Sequence, residues 1–120
     1  MYTYSFEKLE AWIEAKKLSI DLYVLTKKFP SEEKFGLTSQ LRRASVSVCS
    51  NIAEGSARKT NKDKAHFTIM AFSSAVEVLN QIIIANELEL ITTEDYKTLR
   101  KQIEIITNKL NALRNHQINK

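Results

Sequence analysis

The chain reads as an all-α, up-down-up-down antiparallel four-helix bundle, and three features of its 120 residues predict this. Only two glycines and one proline occur, whereas a β-sandwich or barrel of this size needs turn residues about every 8–12 positions. Apolar residues recur at three- and four-residue spacing in four successive segments, which is the pattern of one buried helix face. Hydrophobic residues make up 43% of the chain, close to the globular average of about 45–50%, so one ordinary core can form. The length suits a single domain spanning residues 1–120. A three-helix domain with a separate arm is the main alternative.

In the first segment Phe6, Leu9, Ile13, Leu18, Leu22 and Leu25, with Trp12 and Ala15, keep helical spacing, and Ser5 stands where an N-cap would accept backbone N–H bonds. Phe29-Pro30 ends that helix, because proline disfavours the α conformation in the residue before it. Pro30 then suits the first turn of the next segment, with Glu32 and Glu33 favourable near a positive helix end. The second segment runs from Thr38 to about Ala53 after a turn near Gly36. It sets Leu37, Leu41, Ala44, Val48 and Ile52 in one row, with Gly55 as its C-cap. Ser56 to Lys64 is polar and basic. Thr60 with Asp63 nearly matches a capping box and opens a third helix to about Glu89, carrying Phe67, Ala71, Ala75, Val78, Ile82 and Ala85 on one face. Thr92 and Asp95 repeat the cap before Tyr96, Leu99, Ile103, Ile106, Leu110 and Leu113, and the polar end from Asn115 to Lys120 frays. Short connections predict that each helix packs on its sequence neighbour.

At about 100° per residue, Gln40, Arg43, Ser47, Asn51, Glu54 and Arg58 share one narrow sector beside the apolar row of helix two. Polar groups at a core edge need partners. Helix three offers His66, Met70, Ser73 and Glu77 in a comparable sector, which makes Arg43 with Glu77 the expected interhelical ion pair. Gln40, Arg43, Ser47, Asn51, Glu54 and Glu77 are therefore the candidate polar network, serving either helix register or a functional lining. On the far side of helix two, Val46, Cys49 and Ala53 form a second apolar row. Two apolar faces imply two partners, so this row is the candidate oligomer interface.

No phosphate-loop, dinucleotide-fold, zincin or nucleophile-elbow motif is present, so the reading is no enzyme, no cofactor and no small-molecule substrate. His66 and His116 have no carboxylate at ligand spacing, and Glu54, Glu77 and Glu87 lack the Glu-x-x-His pairs of a di-metal bundle, so no metal is expected. Cys49 is the only cysteine, which excludes an internal disulfide and a cysteine-based zinc cluster, and on an apolar face it reads as a buried inert thiol. With no signal peptide and no apolar run near the roughly 18–20 residues that span a bilayer, the expectation is a cytoplasmic protein without a membrane segment.

The net charge of +4, from 18 Lys and Arg against 14 Asp and Glu, keeps RNA or DNA among the partners. Arg42, Arg43, Arg58, Lys59, Lys62 and Lys64 gather on helix two and the loop after it, and Lys97, Arg100, Lys101, Lys109 and Arg114 on helix four. Both groups could track phosphates, and ordinary solvated faces account for them equally well. A ring of subunits would multiply a small basic patch into a continuous surface.

The run from Phe29 to Gly55, FPSEEKFGLTSQLRRASVSVCSNIAEG, resembles the signature of the bacterial four-helix-bundle family of 23S ribosomal RNA intervening-sequence proteins, also labelled S23 ribosomal protein. Matching positions include Phe29, Pro30, Gly36, Leu37, Thr38, Gln40, Arg42, Arg43, Ser47, Asn51, Glu54 and Gly55, while Ala71, Ser73 and Glu77 fit the third helix. The resemblance implies an antiparallel bundle that assembles as a ring-shaped homopentamer. It also implies kinship with the nucleic-acid-binding accessory protein of diversity-generating retroelements. It implies no reaction, no ribosome membership and no role for Ser56 to Lys64. The expectation is then one of two: a homo-oligomeric protein that binds nucleic acid, RNA foremost, or a structural or protein-interaction scaffold with no nucleic-acid role.

Overall fold

A computed structural model describes residues 1–119, with helices α1 (Glu10–Thr26), α2 (Leu37–Ser56), α3 (Asn61–Glu87) and α4 (Thr93–Ile118). Each boundary has a local cause. The Thr60 and Thr92 hydroxyls accept the backbone N–H groups of Asp63 and Asp95 at 3.1 and 3.0 Å, capping α3 and α4 where their spacing predicts. Ser5 does not cap α1. It opens a short 3-10 turn, Ser5–Lys8, that is held by the Tyr4 N–H donating to Glu7 Oε2 at 2.8 Å, and α1 begins only after Leu9.

Gly55 is not a C-cap either. α2 continues through it to Ser56, Ala57 follows in the right-handed α region, and no glycine has a positive φ. Glycine stands at this position for room, since a Cβ there would lie 2.9 Å from Phe67 Cβ on α3. The positive φ, 59°, falls on Glu89. There the Glu89 N–H donates to the Asn86 carbonyl at 3.0 Å and the Leu90 N–H to the Ala85 carbonyl at 2.9 Å, the paired bonds of a Schellman cap. These bonds turn the chain and end α3 at Glu87, short of the expected Glu89.

Cross-helix pairs fix how the helices run. Arg42 meets Thr26 while Ser45 meets Ser19, so residue numbers rise along α2 as they fall along α1. The same reversal holds for Ser47 with Ser74 and Gly55 beside Phe67, and for Asp21 with Gln102 and Glu10 with Lys109. α3 and α4 join likewise, through Thr68 with Gln117 and a recess shared by Phe72 and Leu110. Neighbours are thus antiparallel and the chain goes up, down, up and down. α1 packs on α2 and α4, as does α3, which leaves α1 and α3 on the diagonal. The α1–α4 seam closes the bundle, so no helix stands off as an arm.

Leu18, Leu22, Leu41, Val48, Val78, Ile82, Ile103, Ile106 and Leu110 fill the centre of the 45 × 30 × 21 Å body. Each such side chain contributes about 1.5–3 kcal/mol on burial. Ala15, Ala71, Ala75 and Ala85 have no exposed surface and let the helix axes approach. Phe29 and Ile91, from the first and last connections, join the same core at one end. Ile13, expected in the core row of the first helix, is instead 43% exposed, because it points away from the face that carries Leu18 and Leu22. α3 also corrects the expectation about membrane-length segments: by length and composition it is apolar enough to cross a bilayer. In this fold its inner face lies in the bundle core, and its buried Thr68 hydroxyl donates to Gln117 Oε1 of α4 at 2.8 Å.

Candidate nucleic-acid interface

The turn from α2 to α3 brings Arg58, Lys59, Lys62 and Lys64 to one end of the bundle, beside the start of the chain and the end of α4. Ser5, Ser56, Asn61, Lys64, His116 and Gln117 line a recess of about 220 Å³ there, and Lys62, His66 and Arg114 line an adjoining one. Arg58, Lys59 and Lys62 are exposed and Lys64 is half-buried. The Arg58 guanidinium lies 4.4 Å from the Phe67 ring centroid, a cation–π contact that orients it. The turn satisfies its own polar groups through the Thr60 cap and through Ser56 Oγ donating to the Ala53 carbonyl at 2.7 Å. The lysine ammonium groups are therefore left to solvent or to a ligand. Glu54 and Asp63, also exposed, temper the positive charge.

Arg42 and Arg43 lie elsewhere. Arg42 lies fourteen positions before Ser56, the last residue of α2, roughly 21 Å along the axis at about 1.5 Å per residue, and Arg58 lies beyond that end. Arg42 Nε donates to Thr26 Oγ1 at 2.9 Å, a terminal nitrogen donates to the Tyr23 carbonyl at 3.3 Å, and the guanidinium sits 4.7 Å from the Tyr23 ring centroid. The side chain thus satisfies the last turn of α1, whose carbonyls run out of helical partners. Its place is in the fold. Arg43 is exposed and makes no ion pair with Glu77, correcting the sequence expectation. Glu77 accepts a long bond from Gln81 Nε2 at 3.5 Å. Both charges remain in solvent, where an ion pair gains too little to hold two long side chains in one geometry.

The helix-four cations divide as well. Lys109 donates to Glu10 Oε2 at 2.6 Å, and that hydrogen bond with the lysine charge holds the Glu10 carboxyl below its ordinary range. Arg100 donates to the Tyr96 hydroxyl at 2.6 Å and faces Glu104 at 3.7 Å. Lys97 and Lys101 are exposed in the first half of α4, away from the basic end, which Arg114 joins.

The polar stripe of α2 is not one network. Only its middle is engaged: the Ser47 and Ser74 hydroxyls lie 2.9 Å apart across the α2–α3 seam, and Asn51 Nδ2 donates to the Ser47 carbonyl at 2.9 Å and to its hydroxyl at 3.2 Å. Gln40, Arg43 and Glu54 are exposed. The partner is Ser74 rather than Ser73, a rotation of about 100° about the helix axis. The fully buried polar residue of α2 is Ser45, whose hydroxyl donates to Ser19 Oγ at 3.2 Å and to the Arg42 carbonyl at 3.1 Å. Sequence reasoning missed it between the apolar Ala44 and Val46. Its seven-residue spacing from Thr38, also buried, is the signal that marks this second polar edge.

In the row expected to be an interface, Val46 is 41% exposed while Cys49 and Ala53 are half-buried. Cys49 packs against the core, and burial pushes its thiol up to about 11, so it stays protonated and unreactive at neutral pH. Among the described residues, no group of three or more His, Cys, Asp or Glu could hold a metal ion.

Comparison with known proteins adds two findings. A family model described as 23S rRNA-intervening sequence protein matches residues 7–112. A solved structure of a protein of unknown function, from the S23 ribosomal protein family of Bacteroides thetaiotaomicron, superposes with a TM-score of 0.81 at 21% identity. The match covers 88% of this chain and 95% of that one, a likeness of fold. None of the curated proteins matches the chain.

Proposed function

The chain belongs to the 23S rRNA-intervening sequence protein family, and from that premise we propose that it is a non-enzymatic, self-assembling bundle of the cytoplasm. It binds nucleic acid, RNA foremost, at the end where α2 turns into α3. The observation that carries the reading is the grouping of cations at this end: Lys64 lines one recess, Lys62 and Arg114 line the adjoining one, and Arg58 and Lys59 stand in the turn between α2 and α3. Among the described residues none of these five is held in an ion pair, in contrast to Lys109 and Arg100. Cations left free in this way can exchange counterions for phosphates. Self-assembly would repeat the basic end in each copy and raise avidity without any new kind of contact.

The scaffold reading is favoured by one observation: Arg42 and the Ser47–Ser74 pair, hydrogen-bonded members of the two candidate sets, serve helix packing. A mobility-shift titration with structured RNA at low salt separates the readings. The expected result is a complex that weakens as salt rises, and at least tenfold more so in Lys59→Glu with Lys62→Glu. Lys97→Glu with Lys101→Glu is expected to leave it nearly unchanged. No complex, or one indifferent to the first pair, leaves the scaffold.

A further inference from the structure

We infer that the RNA taken at the basic end is held through unpaired bases, which stack on a ladder of aromatic rings at the start of the chain. The inference rests on the RNA binding proposed above and names the form of RNA that binds.

Tyr2 and Tyr4 are 75% and 61% exposed, two neighbouring aromatic rings left mostly to solvent. They are not isolated. Tyr2 stands edge-on to Tyr4 with ring centroids 5.0 Å apart, Tyr4 lies at 24° to Phe6 with centroids 6.4 Å apart, and Phe6 meets Trp12 edge-on at 5.0 Å. Phe6 and Trp12 are half-buried, and Trp12 packs against the core, so the inner rings anchor the outer ones. The Tyr4 N–H bond to Glu7 Oε2, at 2.8 Å, ties the backbone of the outer rings to the 3-10 turn. Rings positioned in advance lose little freedom when a flat partner lands on them.

Place and charge say what that partner is. Ser5, between Tyr4 and Phe6 in the chain, lines the same recess as Asn61 and Lys64, so the ladder borders the cations of the proposed phosphate surface. At the inner end of the ladder the Lys16 ammonium stands 5.0 Å from the Trp12 ring centroid. Carboxylates are present as well. Glu10 is bridged to Lys109, Glu7 is engaged by the Tyr4 N–H, and Glu14 is half-buried, while Glu54 and Asp63 are exposed. With Lys8 and Lys16 added to Arg58, Lys59, Lys62, Lys64 and Arg114, positive groups still outnumber negative ones. Exposed rings beside free cations are what a single strand needs, its phosphates meeting the cations and its base faces meeting the rings. A duplex keeps its bases stacked on one another and turns only backbone and groove edges outward, which leaves the rings unused.

Fluorescence anisotropy tests this, with a short labelled RNA that does not pair with itself, alone or annealed to its complement. The wild type is expected to bind the single strand more tightly than the duplex. Tyr2→Ala with Tyr4→Ala should weaken the single-strand complex about tenfold and the duplex complex by less than about twofold. Tyr2→Phe with Tyr4→Phe keeps the rings and should bind as the wild type does. In a strand carrying iodouracil, near-ultraviolet light should join the RNA to Tyr2 or Tyr4, the site being read by mass spectrometry of peptides. Both tyrosines precede the helices, so circular dichroism should not change. Single-strand binding untouched by the alanine pair overturns the inference, as does an equal loss on single strand and duplex. If the alanine pair instead lowers the particle mass seen by light scattering, the rings belong to a contact between copies and the inference falls. No complex with either RNA removes the proposed RNA binding along with the ladder. A complex that Lys59→Glu with Lys62→Glu weakens and the alanine pair does not removes only the ladder.

Discussion

α2 meets its two neighbours by different means. Against α3 it presents Gly55, with no side chain, and Ser47, whose hydroxyl reaches Ser74 at 2.9 Å. Against α1 it presents Ser45, buried against Ser19, and Arg42, which reaches over the end of α1 to Thr26 and Tyr23. The first seam is set by how closely two backbones can come, the second by directional bonds to a helix end. A glycine within a helix costs stability by itself, and it is kept here, in the last turn of α2, because the α3 seam needs the space. An arginine on a helix surface is usually a solvated charge, and it is engaged here because α1 stops one side chain's reach away.

The largest expected effect tests the steric seam. Gly55→Leu should lower stability by roughly 3 kcal/mol in urea unfolding, through overpacking against Phe67. Gly55→Ala isolates the cause. In the last turn of a helix that change adds up to about 1 kcal/mol by propensity, so a net loss would identify the clash at 2.9 Å and a net gain would show that α3 can shift. Next, Arg42→Ala should cost about 1–2 kcal/mol, with Arg42→Lys recovering less than half, because a lysine lacks the fork that serves two acceptors and a ring. If Arg42→Ala leaves stability intact but weakens RNA binding, its place is in the interface and the contrast between the seams fails. Smaller still, a double-mutant cycle over Ser47→Ala and Ser74→Ala should give a coupling of about 0.5–1 kcal/mol. Last, Arg43→Glu and Glu77→Arg should each change stability by less than about 0.5 kcal/mol and couple by no more than about 0.3 kcal/mol. Recovery of stability on combining the two reversals would restore the ion pair to the seam.

The candidate site was legible in part. The cations Arg58 and Lys59 of the turn and Lys62 and Lys64 of the first turn of α3 are close in sequence and stay together, since four residues around one connection cannot separate far. Arg42 and Arg43 are adjacent in sequence yet part company, one folded onto α1 and one in solvent. The exposed Ile69, Val76 and Ile83 of α3 were hidden for another reason. The core row and the outer row of that helix are both apolar, so periodicity alone did not show that a second face exists, and only burial separates Val76 from Val78.

By itself the sequence determined the class of fold, the break between the first two helices and the starts of α3 and α4. The period of apolar residues, the break at Pro30 and the threonine caps at Thr60 and Thr92 act within one or two turns of chain and need no distant partner. Only the tertiary structure decided which neighbour each polar side chain meets, and hence that Ser74 rather than Ser73 faces Ser47, that Gly55 serves approach rather than a turn, and that Glu77 stays free of Arg43. The reason is geometric: helical periodicity assigns a residue to a sector of the surface, while the position of the next helix decides what stands opposite that sector.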